Sequence, residues 1–136
     1  VAPSRARFPN GESIREMQSR TIAALDELVA QHPHETVVVV GHADPIKSAI
    51  AHYTGMHLDL FQRLHVSPAS ATVLDFHAYG VLLVKCNDTG GLDPAAGLAA
   101  MSIEGAADLL IMDEHIAHLD SQNIDYVADV MAALRS

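Results

Sequence analysis

Tryptophan is absent, cysteine occurs once, at Cys86, and aromatic residues make up only 4% of the 136-residue chain. A single thiol excludes an intrachain disulfide and makes a reducing cytoplasm the natural setting. Basic residues are scarce as well: eight Lys/Arg stand against seventeen Asp/Glu, a formal net charge of −9. A surface of that sign disfavours nucleic-acid phosphates and anionic lipid. A phosphorylated small molecule stays open, because its site needs only local positive charge. No apolar run approaches the roughly 20 residues that cross a bilayer. No basic segment followed by an apolar one marks a secretory signal. What is present is apolar mass, 49% of residues, enough for one small domain with a core.

The charge divides the chain. Residues 1–90 carry seven Lys/Arg and nine Asp/Glu, whereas residues 91–136 carry one Arg and eight Asp/Glu. Composition changes at the same place, Gly90-Gly91, after which Gly and Ala dominate. The expected organisation is a domain over 1–90, a Gly/Ala-rich linker over 91–107 and an acidic strand-helix extension over 108–136.

Within the first part, Ser13 and Glu16 form a capping-box pattern ahead of Ile14, Met17, Ile22, Leu25, Leu28 and Val29, an apolar stripe at helical spacing. That helix should end between Gln31 and Pro33. Val37–Val40 reads as a strand buried on both faces, since β-branched side chains pack well on a pleated surface. A helix from about Asp44 to Tyr53 follows, with Asp44 as cap, Pro45 in its first turn and Gly55 as stop. His57–Leu64 reads as a short helical turn. Ala71–His77 and Val81–Cys86 read as an antiparallel hairpin around Ala78-Tyr79-Gly80. In the tail, Leu109–Met112 is a short apolar run, and Ser121 can cap a last amphipathic helix.

The stretch Val37-Val38-Val39-Val40-Gly41-His42-Ala43-Asp44-Pro45 carries the most chemical information. It places His42 at the carboxyl end of a strand and at the start of a helix. Open α/β sheets bind ligands at that edge, and free N–H groups at a helix start attract anions. His42 is thus placed to hold a phosphate. The competing reading is a histidine that only makes a hydrogen bond at a strand end.

Residues 7–90 resemble the C-terminal half of the histidine phosphatase superfamily, the phosphoglycerate-mutase-like proteins. The resemblance rests on Arg7-Phe8-Pro9-Asn10-Gly11-Glu12-Ser13 with a following helix that includes Arg20. It rests also on the valine strand ending in Gly41-His42, and on two closing strands flanked by Ser67-Pro68-Ala69-Ser70 and Asn87-Asp88-Thr89-Gly90. It implies a three-layer α/β/α domain and phosphoryl transfer through a phosphohistidine, as a phosphomonoester hydrolase or phosphomutase, with no cofactor. It implies that His42 helps hold the transferring phosphoryl group and that Arg7 contacts a distal substrate phosphate. Glu12 belongs to the motif, and Lys47, one turn into the helix, is a further anion contact. The family's Arg-His-Gly nucleophile motif is absent from the chain. The chain, which begins at Val1, is therefore expected to be a partial domain, inert by itself, with an exposed sheet edge that invites self-association or a partner.

The tail, 108–135, is similar over Leu109-Leu110-Ile111-Met112-Asp113-Glu114 and Leu119-Asp120 to the Walker B strand and D-loop of ABC-type ATPases. That likeness makes Asp113 and Glu114 a candidate Mg²⁺ and water-activating pair, yet no G-x-x-x-x-G-K-[ST] loop accompanies it. Nine histidines raise the question of a metal. His32-Pro33-His34 shares a loop and His115 and His118 share helical spacing, but neither pair completes a ligand set, and no metal is expected. Cys86 reads as a small buried hydrophobe. Three functions therefore stand: a phosphoryl-transfer domain carried by His42, a non-catalytic α/β interaction module, and an ATPase fragment carried by the tail alone.

Overall fold

The computed structural model describes residues 2–89 in full and the backbone of residues 107–113. After a 3-10 turn at Pro3–Arg5, the chain forms helix α1 (Ile14–Gln31), strand β1 (Thr36–Gly41) and helix α2 (Ala43–Thr54). A 3-10 helix (Leu58–Arg63) leads to the hairpin β2 (Ala71–His77) and β3 (Gly80–Asp88), and β4 is Ala107–Asp113. The four strands form one mixed sheet in the order β1-β4-β2-β3. The protein is an α/β domain.

Local chemistry explains the elements. The capping box at the start of α1 is complete: the Ser13 hydroxyl accepts from the Glu16 N–H at 3.1 Å, and the Glu16 carboxylate accepts from the Ser13 N–H at 2.7 Å. These two bonds satisfy backbone donors that the helix leaves orphaned. Gly55 ends α2 at φ 73°, a left-handed conformation that costs glycine nothing. β2 and β3 join through Ala78-Tyr79, with His77 opposite Gly80.

Both helices pack on one face of the sheet. Ile22 and Leu25 of α1 meet Ile46, Ala49 and Ile50 of α2 over Leu74, with Val37, Val39, Phe76 and Val81 at the margin. A second cluster, of Ile14, Met17, Ala51, Leu58 and Phe61, joins the start of α1 and the later part of α2 to the 3-10 helix. Two polar ties fix the helices' mutual direction. Gln18 donates to the Ser48 carbonyl at 2.9 Å, and Tyr53 donates to Asp26 at 2.6 Å.

Three expectations need correction. Among the described strands β1 lies at an edge of the sheet, not buried on both faces, and Val40 is 52% exposed. The N-cap of α2 is His42; Asp44 lies inside the first turn, where its charge suits the helix dipole. Cys86 is exposed, on β3 at the other edge of the described sheet. The run at Leu109–Met112 is indeed a strand, and it lies between β1 and β2. The expected linker over 91–107 lies outside the described residues except for Ala107, which begins β4, and the last helix from Ser121 lies outside them too.

Leu74 is fully buried between the helices and the sheet. Leu74→Ala is expected to destabilise the fold by about 2–5 kcal/mol, through lost transfer energy and the cavity left behind. Urea unfolding followed by circular dichroism measures this.

Candidate functional site

The carboxyl end of β1 is also the amino end of α2, with one residue, His42, at the junction. Its backbone is extended at φ −102°, ψ 162°, and its carbonyl accepts from the Ile46 N–H at 3.2 Å. The His42 side chain makes no capping bond. The N–H groups of the first turn of α2 are therefore left without a side-chain cap from the N-cap position, an arrangement that favours an anion. His42 is solvent-exposed, and a neighbour engages it in this state.

Two other strand ends share this edge. β4 runs parallel to β1 with Asp113 opposite Gly41. β2 runs antiparallel to β4 with Ala71 opposite Met112, and Ser70 immediately precedes that first paired position. Ser70 is 1% exposed, and its Oγ has no hydrogen-bond partner. The sequence shows Ser70 only as the last residue of a Ser-Pro-Ala-Ser loop; its burial and its orphaned hydroxyl emerge only from the fold. Asp113 was read as the end of an ATPase-like strand. The structure instead sets it in register beside the residue preceding His42, while Glu114 and Asp120 lie outside the described residues.

The Arg7–Ser13 segment leads into α1, and its flanking residues Ala6 and Ile14 pack against the cluster of Ala51, Leu58 and Phe61. It forms a tight loop closed by the Gly11 N–H donating to the Phe8 carbonyl at 3.0 Å, with Asn10 at φ 57°. Arg7 donates to Glu16 at 2.9 Å and to the Gly11 carbonyl at 3.3 Å. Glu12 accepts a two-pronged contact from Arg20, at 2.9 Å from Nε and 2.6 Å from Nη2. Lys47 donates to Gln62 at 3.2 Å and lies 4.0 Å from Asp44. Each cation expected at an anion site thus already has a carboxylate partner.

These pairs are electrostatically real though exposed. The Arg20 guanidinium holds the Glu12 carboxyl below its ordinary value of 4.5. The Ser13 backbone N–H, then Arg7, does the same for Glu16. His65 shares a 3.1 Å contact with the Ser67 hydroxyl in the loop before β2. Among the described residues no three metal-ligating side chains gather, so His32 and His34 form no set there, and His115 and His118 fall outside them. A cleft of about 340 Å³ between the helices, lined by Gln18, Asp26 and His52 among others, does not include His42.

A depressed carboxylate contributes stability above its unfolded pKa and loses it as pH falls through the folded value. The Glu12–Arg20 pair should therefore hold at neutral pH and release below the ordinary glutamate range. In Arg20→Gln the Glu12 carboxyl is expected to titrate nearer 4.5, as read by carbon-detected NMR. An unchanged midpoint would show that Arg20 is not the cause.

The chain resembles known proteins over the part that builds this edge. A family model described as histidine phosphatase superfamily (branch 1) matches residues 2–89. The Hydrogenobacter thermophilus protein named phosphoserine phosphatase 1 is 29% identical over 87 residues, covering 64% of this chain and 41% of that protein. The Mycobacterium tuberculosis protein named bifunctional protein Rv2228c is 32% identical over 85 residues, covering 62% and 23%. An uncharacterized Mycobacterium bovis protein gives the same figures. The chain spans less than half the length of these curated relatives, and the ATPase likeness of the tail finds no support among them. With the matched segment covering well over half of its residues, the chain belongs to the histidine phosphatase superfamily.

Proposed function

We propose that this chain supplies the phosphoryl-holding part of a histidine-phosphatase-type phosphomonoesterase, with His42 as the residue that holds the phosphoryl group. One observation carries this reading. His42 lies within the family-matched segment, at a strand end that is simultaneously a helix start with its first-turn N–H groups uncapped by the His42 side chain. Three kinds of attraction converge there on one phosphate: an imidazole, backbone donors and the positive end of a helix dipole. The name of the Hydrogenobacter relative favours a small phosphomonoester, phosphoserine among them, as the substrate class. Phosphomutase chemistry is the variant in which a hydroxyl rather than water receives the phosphoryl group.

Arg7 and Lys47 act as secondary contacts, Arg7 toward a distal anionic group, by exchanging Glu16 and Gln62 for substrate. Glu12 supports the site by fixing Arg20 and the loop that carries Arg7. Phosphoryl transfer depends on several groups positioned together. With no Arg-His-Gly nucleophile motif in the sequence, the chain alone binds a phosphate without turning over a phosphomonoester.

The test follows the thermal unfolding midpoint with inorganic phosphate or vanadate. A ligand at 100 times its Kd stabilises by about 2.7 kcal/mol, a rise of roughly 10 °C for a domain of this size. The rise is expected in the native chain and absent in His42→Ala. A cooperatively folded chain with no rise overturns the phosphate site. Hydrolysis of p-nitrophenyl phosphate above background, lost in His42→Ala, overturns the claim that the chain is inert alone.

A further inference from the structure

The cleft between α1 and α2, about 340 Å³, falls within the size range of small-molecule sites, about 300–1,000 Å³. α1 supplies most of its lining. Gln18, Ile22 and Asp26 stand four residues apart along one row of the helix, with Ser19 and Ala23 on the row beside it. His52 of α2 lines it too. At 1.5 Å of rise per residue, Gln18 and Asp26 lie roughly 12 Å apart along the helix axis. The lining therefore has a carboxylate at one end, an amide and a hydroxyl at the other, and the apolar Ile22 and Ala23 between.

The hydrogen bonds already made decide what these groups can still do. The Tyr53 hydroxyl donates to Asp26 Oδ1 at 2.6 Å, and among the described residues the other carboxylate oxygen accepts nothing. Burial, then Asp26, pushes the Tyr53 phenol above its ordinary pKa, so Tyr53 stays the donor of that pair. His52 packs edge-on against the same Tyr53 ring, with 5.1 Å between centroids at 84°. Tyr53 thereby positions both groups at that end. At the other end, the Gln18 amide nitrogen donates to the Ser48 carbonyl at 2.9 Å, which leaves the amide oxygen as an open acceptor. The Ser19 hydroxyl adds acceptor capacity beside it. No Lys or Arg is among the described lining residues. The cleft thus offers acceptors at both ends, a negative charge at one of them, and apolar surface in the middle.

We infer that this cleft is a binding site for a short aliphatic diamine: one ammonium on Asp26, the methylenes over Ile22 and Ala23, and the second amine donating to the Gln18 amide oxygen and the Ser19 hydroxyl. An ammonium has three donors and no acceptor, which complements what the lining leaves open. The net charge of −9 favours the approach of a dication. The site is separate from His42 and does not rest on the phosphate reading.

The test titrates the full chain with cadaverine, a five-carbon diamine, and follows amide chemical shifts by NMR, which give both a Kd and a location. The shifts are expected to group at residues 18–26 and 52. Pentylamine keeps one ammonium and the methylenes, as a peptide's lysine side chain does, and is expected to bind about three- to tenfold more weakly for want of the second end. Asp26→Asn retains an oxygen for the Tyr53 hydroxyl and should weaken both amines by about tenfold, the loss of a hydrogen bond to a charged group. Glu35→Gln removes the same charge outside the cleft and should leave both within about twofold. Ser19→Asp adds a carboxylate at the far end, on an exposed position that needs no partner to fold. It should tighten cadaverine about threefold or more and change pentylamine by less than about twofold.

A folded chain that shows no cadaverine-dependent shifts overturns the site. Shifts spread over the acidic surface and weakened equally by Asp26→Asn and Glu35→Gln overturn it too, since net charge would then suffice. Equal affinity for the two amines, in the native chain and in Ser19→Asp alike, overturns the diamine assignment. His42→Ala is expected to bind cadaverine as the native chain does, so loss of the phosphate site leaves this one standing.

Discussion

β1 and β2 do not pair with each other, and everything else in the domain depends on what lies between them. A strand in a sheet presents a row of N–H and C=O groups on each side, and groups buried without partners cost nearly a hydrogen bond each. The family-matched segment supplies β1 on one side and the β2–β3 hairpin on the other, with a gap one strand wide. β4 fills that gap, parallel to β1 and antiparallel to β2. It thereby makes one sheet of two pieces and fixes the relative position of the strand ends that flank His42. The helices reinforce this from above, because α1 and α2 rest on β1 and β2 together through Leu25, Ile46, Ile50 and Leu74.

The same geometry decides which groups can act at the carboxyl edge of β1. Arg7, Arg20 and Lys47 are each matched to a carboxylate of Glu16, Glu12 or Asp44 at 4.0 Å or less. Exposed pairs of this kind are worth little in stability, so a stronger anion can break them at small cost. They keep basic side chains at the helix starts without leaving a strongly positive patch. His42 differs from them in being placed by the backbone. Its position follows from the strand ending and the helix beginning at consecutive residues, and no side-chain pair has to hold it there.

Much of this was legible in the sequence because it is local. The capping box at Ser13 and Glu16, the αL stop at Gly55 and the strand at Ala71–His77 each depend on residues within a few positions of one another. The four valines misled for a physical reason: periodicity reports that a segment is apolar, not how many neighbours it will have. Cys86 misled likewise, since a run such as Val81–Lys85 reads as buried whether its strand is central or at an edge. The capping residue of α2 shifted from Asp44 to His42 because the helix starts directly at the strand's end, leaving no linker in which Asp44 could cap. Least legible was the strand pairing at the carboxyl edge of β1. Gly41 and Asp113 lie 72 positions apart and come together only through strand pairing, and Ala71, after Ser70, pairs with Met112 in the same way, so Ser70 reads as a loop residue and Asp113 as part of another family's motif.

An anion site in a chain of net charge −9 must draw its attraction from close range. Beyond a Debye length, about 8 Å at physiological salt, exposed charges are largely screened, so the acidic composition slows the approach of a phosphate more than it weakens one already seated. Within that length the proposed site draws on very few groups, an imidazole and the first-turn N–H groups of α2, and both are placed by the strand-to-helix junction at His42 rather than by the composition of the chain as a whole.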